Sequence, residues 1–278
     1  MLSVVIPVLD NVAVLAEQLE AVMGQELDDD WEVVVADNGS TDGTLDLVRA
    51  WPVTPRPVRL IDASCRRGPG AARNAGVEAA RGDRIVFCDG DDVVAPGWLK
   101  GLVAGLEAAD VVVGSLDVST LNARPPSLPV DPWPRQFGYL PAGLGANMAV
   151  RRAPFEALGG FDEELLIGED IDLCWRLQLA GYHLQRALEA VVAKRGRQAH
   201  DGLLTQSLGY GRSDAVLFRR FRDSGMPRGL WLTVRSWGWL IVHAPAVLHT
   251  SRRHQWMRVL FIRVGRLLGS VEQRVFYP

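Results

Sequence analysis

Three carboxylates fall within four residues at Asp89-Gly90-Asp91-Asp92, directly after the apolar run Ile85 to Cys88. Like charges repel, and no packing need places them at the end of a buried strand, so the spacing asks for a cation. Mg²⁺ or Mn²⁺, bound through one or two carboxylates and otherwise through substrate phosphates, suits such hard oxygen donors. A solvated Asp-Gly turn would use the same residues. An EF-hand loop would not, because the ligand positions do not line up with its required Gly and Glu.

Three further segments carry polar groups beside apolar runs. Asp37-Asn38-Gly39-Ser40-Thr41-Asp42-Gly43 follows Val33 to Ala36 and precedes a helical pattern, as a strand-to-helix loop would, with Thr41 or Asp42 available as a cap. Asp37 at the strand end can accept from a nucleobase imide N–H or a ribose hydroxyl. In Arg66-Arg67-Gly68-Pro69-Gly70-Ala71-Ala72-Arg73-Asn74-Ala75-Gly76, small residues and fixed cations meet at a helix start, where backbone N–H groups and Arg73 favour anions. The Walker Lys-Ser/Thr and the G-x-G-x-x-G spacing are both missing, which weighs against kinase-type and dinucleotide readings. In Gly168-Glu169-Asp170-Ile171-Asp172-Leu173-Cys174-Trp175-Arg176, the spacing predicts an Asp172–Arg176 pair across one turn and an inward-facing Asp170. A carboxylate in a first helical turn often only balances the helix dipole; turned toward a cleft, it is a general-base candidate.

These residues need a scaffold. Val4 to Ile6, Val33 to Val35, Val58 to Ile61 and Ile85 to Phe87 read as short strands buried on both faces, alternating with helical patterns at Val14 to Val22, Thr44 to Ala50 and Gly70 to Ala80. The alternation predicts an α/β fold with a mostly parallel sheet, whose ligands sit beyond the carboxyl ends of the strands. Further helices are expected at Pro96 to Ala108 and Gly168 to Ala180, an apolar run at Asp110 to Gly114, and a pair of strand-like runs ending near Val192. Residues 124–145 contain six prolines and are read as a long loop. The domain boundary is placed near residue 200, with a catalytic domain over 1–200 and a helical extension over 201–278.

At 278 residues, 48% hydrophobic and 23% charged, the chain can bury a substantial core. A net charge of -3 argues against a surface built throughout for nucleic acid. Cys65, Cys88 and Cys174 lack metal-site spacing and favour neither a disulfide framework nor zinc, which fits a reducing, cytoplasmic setting. The first residues lack a basic n-region, so no secretory signal is expected there. From Met226 to Pro278 eight arginines face the single acid Glu272. Leu230 to Leu248 is interrupted by Arg235, His243 and Pro245, so helices lying against an anionic membrane surface are expected in preference to a span, with Trp231, Trp237, Trp239 and Trp256 in the headgroup region. Packing of the same aromatics on the catalytic domain is the alternative.

Taken in order, Ser3 to Val8, Asp37 to Gly43, Gly70 to Gly76, Asp89 to Asp92, and Gly160-Phe161-Asp162 with Gly168 to Leu173 resemble the family 2 inverting glycosyltransferases of the GT-A fold. The resemblance implies a Rossmann-like sheet, a nucleoside-diphosphate sugar donor, a divalent metal and inversion at the anomeric carbon. It implies that Pro7, Leu9, Asp37, Ser40, Arg73, Asn74, Asp89 and Asp91 contact the donor, Pro7 and Leu9 bordering the base. Asp89 and Asp91, with His200, would serve the metal, Asp170 would be the base, and Asn147, Glu169 and Trp175 would lie on the acceptor side. The family usually has Tyr-Asn after its first strand, whereas this chain has Leu9-Asp10, which removes a stacking surface; a uridine donor is expected first. The acceptor would be a lipid-linked or cell-envelope glycan or a soluble small molecule. A nucleotidyltransferase would need a Gly-rich basic loop where this chain has Pro7 to Asn11. A non-catalytic nucleotide- or glycan-binding module would bind without turnover.

Overall fold

The computed structural model describes residues 1–52, 56, 58–122, 136–196, 200–248 and 250–278. It divides into two compact units, residues 1–134 with 141–196, and residues 135–140 with 197–278.

In the first unit, strands and helices run in the order β1 (Leu2–Val8), α1 (Leu15–Met23), β2 (Trp31–Asp37), α2 (Thr44–Arg49), β3 (Val58–Asp62), α3 (Pro69–Ala79), β4 (Arg84–Cys88), β5 (Val93–Val94), α4 (Trp98–Ala108), β6 (Val111–Asp117), β7 (Asn147–Arg151), α5 (Arg152–Ala157), α6 (Glu169–Leu179) and β8 (Leu184–Ala193). Among the described residues the strands form one eight-stranded sheet, ordered β3-β2-β1-β4-β7-β6-β8-β5. The β3-β2-β1-β4 portion is parallel, and so is β6 with β8. β7 runs antiparallel to both β4 and β6, pairing its first residue Asn147 with Cys88. The expected α/β sheet is therefore present, in mixed form.

β-branched runs dominate β1, β2 and β4, and their side chains are almost wholly buried, as strands covered on both faces require. β3 differs from expectation: it is an edge strand, half-exposed along its length and exposed at Asp62. The pair of runs expected before Val192 is one strand, β8, whose register jumps between Val113↔Arg186 and Ser115↔Val191; the irregularity divides the apolar pattern without ending the strand. The core gathers Ile6, Leu19, Val33, Val86, Trp98 and Leu102 from sheet and helices.

The second unit holds α7 (His200–Phe221), α8 (Leu230–Val242) and α9 (Thr250–Glu272). α7 and α9 pack together through the buried Asp214–Arg266 ion pair (2.7 Å), and Phe218 stacks on Tyr277 with ring centroids 4.5 Å apart. Among the described residues no helix is long and apolar enough to cross a membrane. α8 ends after 13 residues, and a 3₁₀ turn containing Pro245 follows it.

Candidate active site

The carboxyl ends of β1, β2 and β4 open on one edge of the first unit, and the sequence puts a polar loop on each. After β1, the backbone N–H groups of Asp10, Asn11 and Val12 donate to Ser40 Oγ, Thr44 Oγ1 and Asp42 Oδ2 at 2.9–3.0 Å. Asp10 Oδ1 accepts from the Thr41 N–H at 2.7 Å, and Asp10 itself has φ of 52°, a left-handed conformation that aspartate tolerates better than most residues. The loops after β1 and β2 are thus stitched together, with Leu9 exposed at the rim.

Asp37 closes β2, and its Oδ2 accepts from the N–H groups of Gly39 (3.0 Å) and Ser40 (3.1 Å). Asp37 and Ser40, with Leu45, Arg49, Asp62 and Ser64, line a cleft of about 570 Å³ at the ends of β2 and β3. Pro7 lies in β1, paired with Ala36.

The Asp89–Asp92 loop follows β4. Carboxylate oxygens of Asp89, Asp91 and Asp92 all lie within 4.8 Å of one another. Arg73 on α3 donates Nη2 to Asp89 Oδ1 (2.7 Å) and Nη1 to Glu169 Oε1 (2.8 Å). Next to Glu169, Asp170 accepts from the Gly145 N–H at Oδ2 (2.9 Å) and from the Ile171 N–H at Oδ1 (2.8 Å). One connected path, Asp89–Arg73–Glu169–Asp170, joins the acidic loop to the first turn of α6.

Electrostatics follow from burial. Burial raises Asp89, but Arg73 and Lys194 outweigh it and hold the carboxyl at about 2. Burial pushes Glu169 up to about 7, with the neighbouring Asp170 charge adding and Arg73 opposing. Burial also raises Asp170, against its backbone hydrogen bonds and Arg73. A carboxylate raised in this way, buried at a helix start, is a base closer to neutral pH than a solvated aspartate.

The fold gives the remaining candidate residues these partners. Arg73, read as a phosphate grip, has both Nη groups on carboxylates. Asn74, read as a donor contact, ties α3 to the turn before α6, donating to Phe161 O and Glu163 Oε1 and accepting from the Phe161 N–H, each at 2.9 Å. Asn147 is buried; its Oδ1 accepts from the Trp98 indole (2.9 Å) and its Nδ2 donates to Ser115 O and Ala190 O (2.8 Å each). Trp175 is fully buried. Glu169 touches Arg73 and not an open face. Asp172 pairs with Arg176 Nε at 2.7 Å, as the spacing predicts. His200 opens α7 in the second unit, and its side chain lies outside the described residues.

Two residues escaped sequence reasoning. Lys194 and Arg195 follow β8 directly: Lys194 Nζ lies 2.8 Å from Asp92 Oδ2 and 3.4 Å from Asp89 Oδ2, and the Arg195 N–H donates to Asp92 Oδ1 (2.8 Å). The signal was their position, a Lys-Arg pair at the end of an apolar run.

The sequence profile described as glycosyl transferase family 2 matches residues 3–158. The pre-mycofactocin glycosyltransferase of Mycobacterium tuberculosis is 30% identical over 249 residues, covering 81% of this chain and 49% of that protein. Glycosyltransferase AglE of Haloferax volcanii is 28% identical over 197 residues, covering 68% and 65%. The chain thus spans about half the length of the first of these relatives. Among solved structures, the mannosyltransferase PcManGT from Pyrobaculum calidifontis, in complex with GDP-Man and Mn²⁺, superposes with a TM-score of 0.66 at 19% identity, over 97% of this chain and 86% of that one. S. aureus TarS 1-349 in complex with UDP-GlcNAc gives 0.57 at 18% identity, over 100% and 93%. These likenesses carry the fold, and the profile, which spans β1 to α5 and so includes the acidic loop and the Arg73 helix, carries the family: this chain belongs to glycosyl transferase family 2 and has a GT-A fold.

Proposed function

We propose that the chain is a metal-dependent inverting glycosyltransferase that moves a sugar from a nucleoside-diphosphate sugar, a UDP-sugar first, to an acceptor hydroxyl. The observation that carries this reading is the path Asp89–Arg73–Glu169–Asp170, which sets a general-base candidate in fixed relation to an acidic loop. The three clustered carboxylates are hard oxygen donors and fit Mg²⁺ or Mn²⁺. Asp91 and Asp89 would hold the ion, which when bound neutralises charge on the donor diphosphate.

This chain's residues supply the rest. Asp37 and Ser40 border the cleft proposed for the base. Asp170 takes the proton of the acceptor hydroxyl as its oxygen bonds to the anomeric carbon, while the bond from that carbon to the diphosphate breaks on the opposite face. Arg73 fixes Glu169 and with it the start of α6, a positioning role. A single displacement needs one base, whereas a retaining double displacement would want a second, nucleophilic carboxylate; Asp172, tied to Arg176, is poorly suited.

Nucleoside diphosphate release from UDP-, GDP- and TDP-sugars with Mn²⁺ or Mg²⁺ tests the reading on the native chain, Asp91→Ala and Asp170→Asn. Turnover of one donor, lost in both folded variants, supports it. Binding of a donor without turnover in the presence of membrane extracts would favour a non-catalytic module.

A lipid-linked acceptor is favoured by the second unit, where Trp231, Val234, Ile241 and Val242 on α8 are 63–74% exposed and no acid lies between Asp223 and Glu272. Exposed apolar groups set among arginines suit an anionic membrane surface. Co-sedimentation with phosphatidylglycerol vesicles, weakened by Trp231→Glu and absent with phosphatidylcholine alone, checks this.

A further inference from the structure

We propose that Lys194 is a built-in counter-cation of the acidic loop, anchored on Asp92 and competing with the divalent ion for Asp89 until the donor diphosphate draws its ammonium away. The inference rests on the metal reading above and adds to it a residue that sets when the metal binds.

Lys194 Nζ lies 2.8 Å from Asp92 Oδ2 and 3.4 Å from Asp89 Oδ2, so it reaches two of the three carboxylates that cluster for an ion. Its backbone is anchored. The Lys194 N–H donates to Asp117 O (2.7 Å) and its carbonyl accepts from Asn122 Nδ2 (2.7 Å). The neighbouring Arg195 is held as well, its Nε donating to Asp91 O (3.0 Å) and its guanidinium pairing with Glu17 (2.6 Å). What can move is the four-carbon stem of Lys194, whose side chain is 24% exposed. An ammonium is a compact charge with rotatable donors, suited to exchanging one oxyanion for another.

Charge gives the competition its direction. Lys194 pairs with Asp89 and Asp92, and Arg73, shared with Glu169, pairs with Asp89 as well, which weakens the attraction of the loop for a divalent ion. If the ammonium moves to the diphosphate oxygens, the loop regains the charge that such an ion needs. Metal and donor would then enter together, and the empty enzyme would hold metal weakly.

The test is Mn²⁺ binding to the 278-residue chain, read from the free-ion electron paramagnetic resonance signal, first without nucleotide. Lys194→Met is expected to bind Mn²⁺ about tenfold tighter than wild type or more, because a positive charge close to the site is gone. Lys194→Arg, which keeps the charge, stays near wild type. Lys194→Gln, which keeps a donor toward Asp92, follows Lys194→Met and serves if the latter folds poorly. With saturating UDP or GDP the gap between wild type and Lys194→Met closes. Equal Mn²⁺ affinity in folded wild type and both neutral variants overturns the proposal while leaving the metal reading intact. A gap that nucleotide leaves unchanged overturns the release of the ammonium. Mn²⁺ binding to none of the chains overturns the metal reading, and the proposal with it.

Discussion

Gly145 lies so close to Arg73 that a Cβ at residue 145 would stand 2.6 Å from the guanidinium carbon. The same glycine's N–H holds Asp170, so one backbone position supports both the arginine and the base candidate. Gly145→Ala is expected to displace Arg73 and lower transfer about 10²-fold, the scale of a 1 Å misplacement of reacting groups. Measuring kcat/KM beside the melting temperature checks this: a variant with full activity would show that Arg73 has room to shift.

Asp170→Asn keeps the shape of the side chain and one acceptor oxygen, which can serve the Gly145 N–H but not the Ile171 N–H as well. If Asp170 is the base, transfer falls by about 10²–10⁴-fold while donor affinity stays within about twofold. Asp172→Asn is the contrasting case. It weakens the pair with Arg176, whose Nη groups also hold Leu158 O (2.8 Å) and Gly160 O (2.7 Å), so it lowers the melting temperature more than kcat.

Acid should silence the enzyme earlier than a solvated aspartate would allow. Burial raises Asp170, and burial together with the Asp170 charge brings Glu169 to about 7. A base works only when deprotonated, so kcat/KM is expected to climb with pH above the ordinary aspartate range and to fall on acidification. A pH profile flat down to about 4, the ordinary aspartate value, would remove Asp170 from that role.

Asn147 offers a test that separates structure from acceptor binding. Asn147→Ala leaves the Trp98 indole and the Ser115 and Ala190 carbonyls without their partner, each buried group costing about 1–3 kcal/mol. Chemical denaturation should show a loss of that order, with the acceptor KM of the folded fraction unchanged. A selective rise in acceptor KM at full stability would put Asn147 on the acceptor side.

Much of this was legible because strand ends announce themselves: runs such as Val33 to Ala36 and Ile85 to Cys88 stop at Asp37 and Asp89, and the sheet carries both to one edge. The Asp172–Arg176 pair was readable from helical spacing alone. Partners distant in sequence were not readable. Nothing near Asn147 says that Trp98 is its neighbour, and nothing near Arg73 says that Asp89 and Glu169 will take both its Nη groups. The direction of β7 is equally silent, since the run from Asn147 to Val150 reads the same in either sense; only its pairing with Cys88 fixes the reversal. Lys194 followed the rule that found Asp37 and Asp89, but carries the opposite charge.

The reversal of β7 has a bearing on how such a scaffold diversifies. A parallel crossover needs a dozen or more residues and usually a helix, whereas an antiparallel partner can be reached by a connection of any length. Residues 118–146 make that connection between β6 and β7 and deliver Gly145 to the edge that holds Asp89. Each doubling of a connection's length costs only about 0.6 kcal/mol in closure entropy. The connection between β6 and β7 is therefore where insertions can be exchanged between lineages, or grafted by design, without disturbing the strands that lead to Asp37 and Asp89.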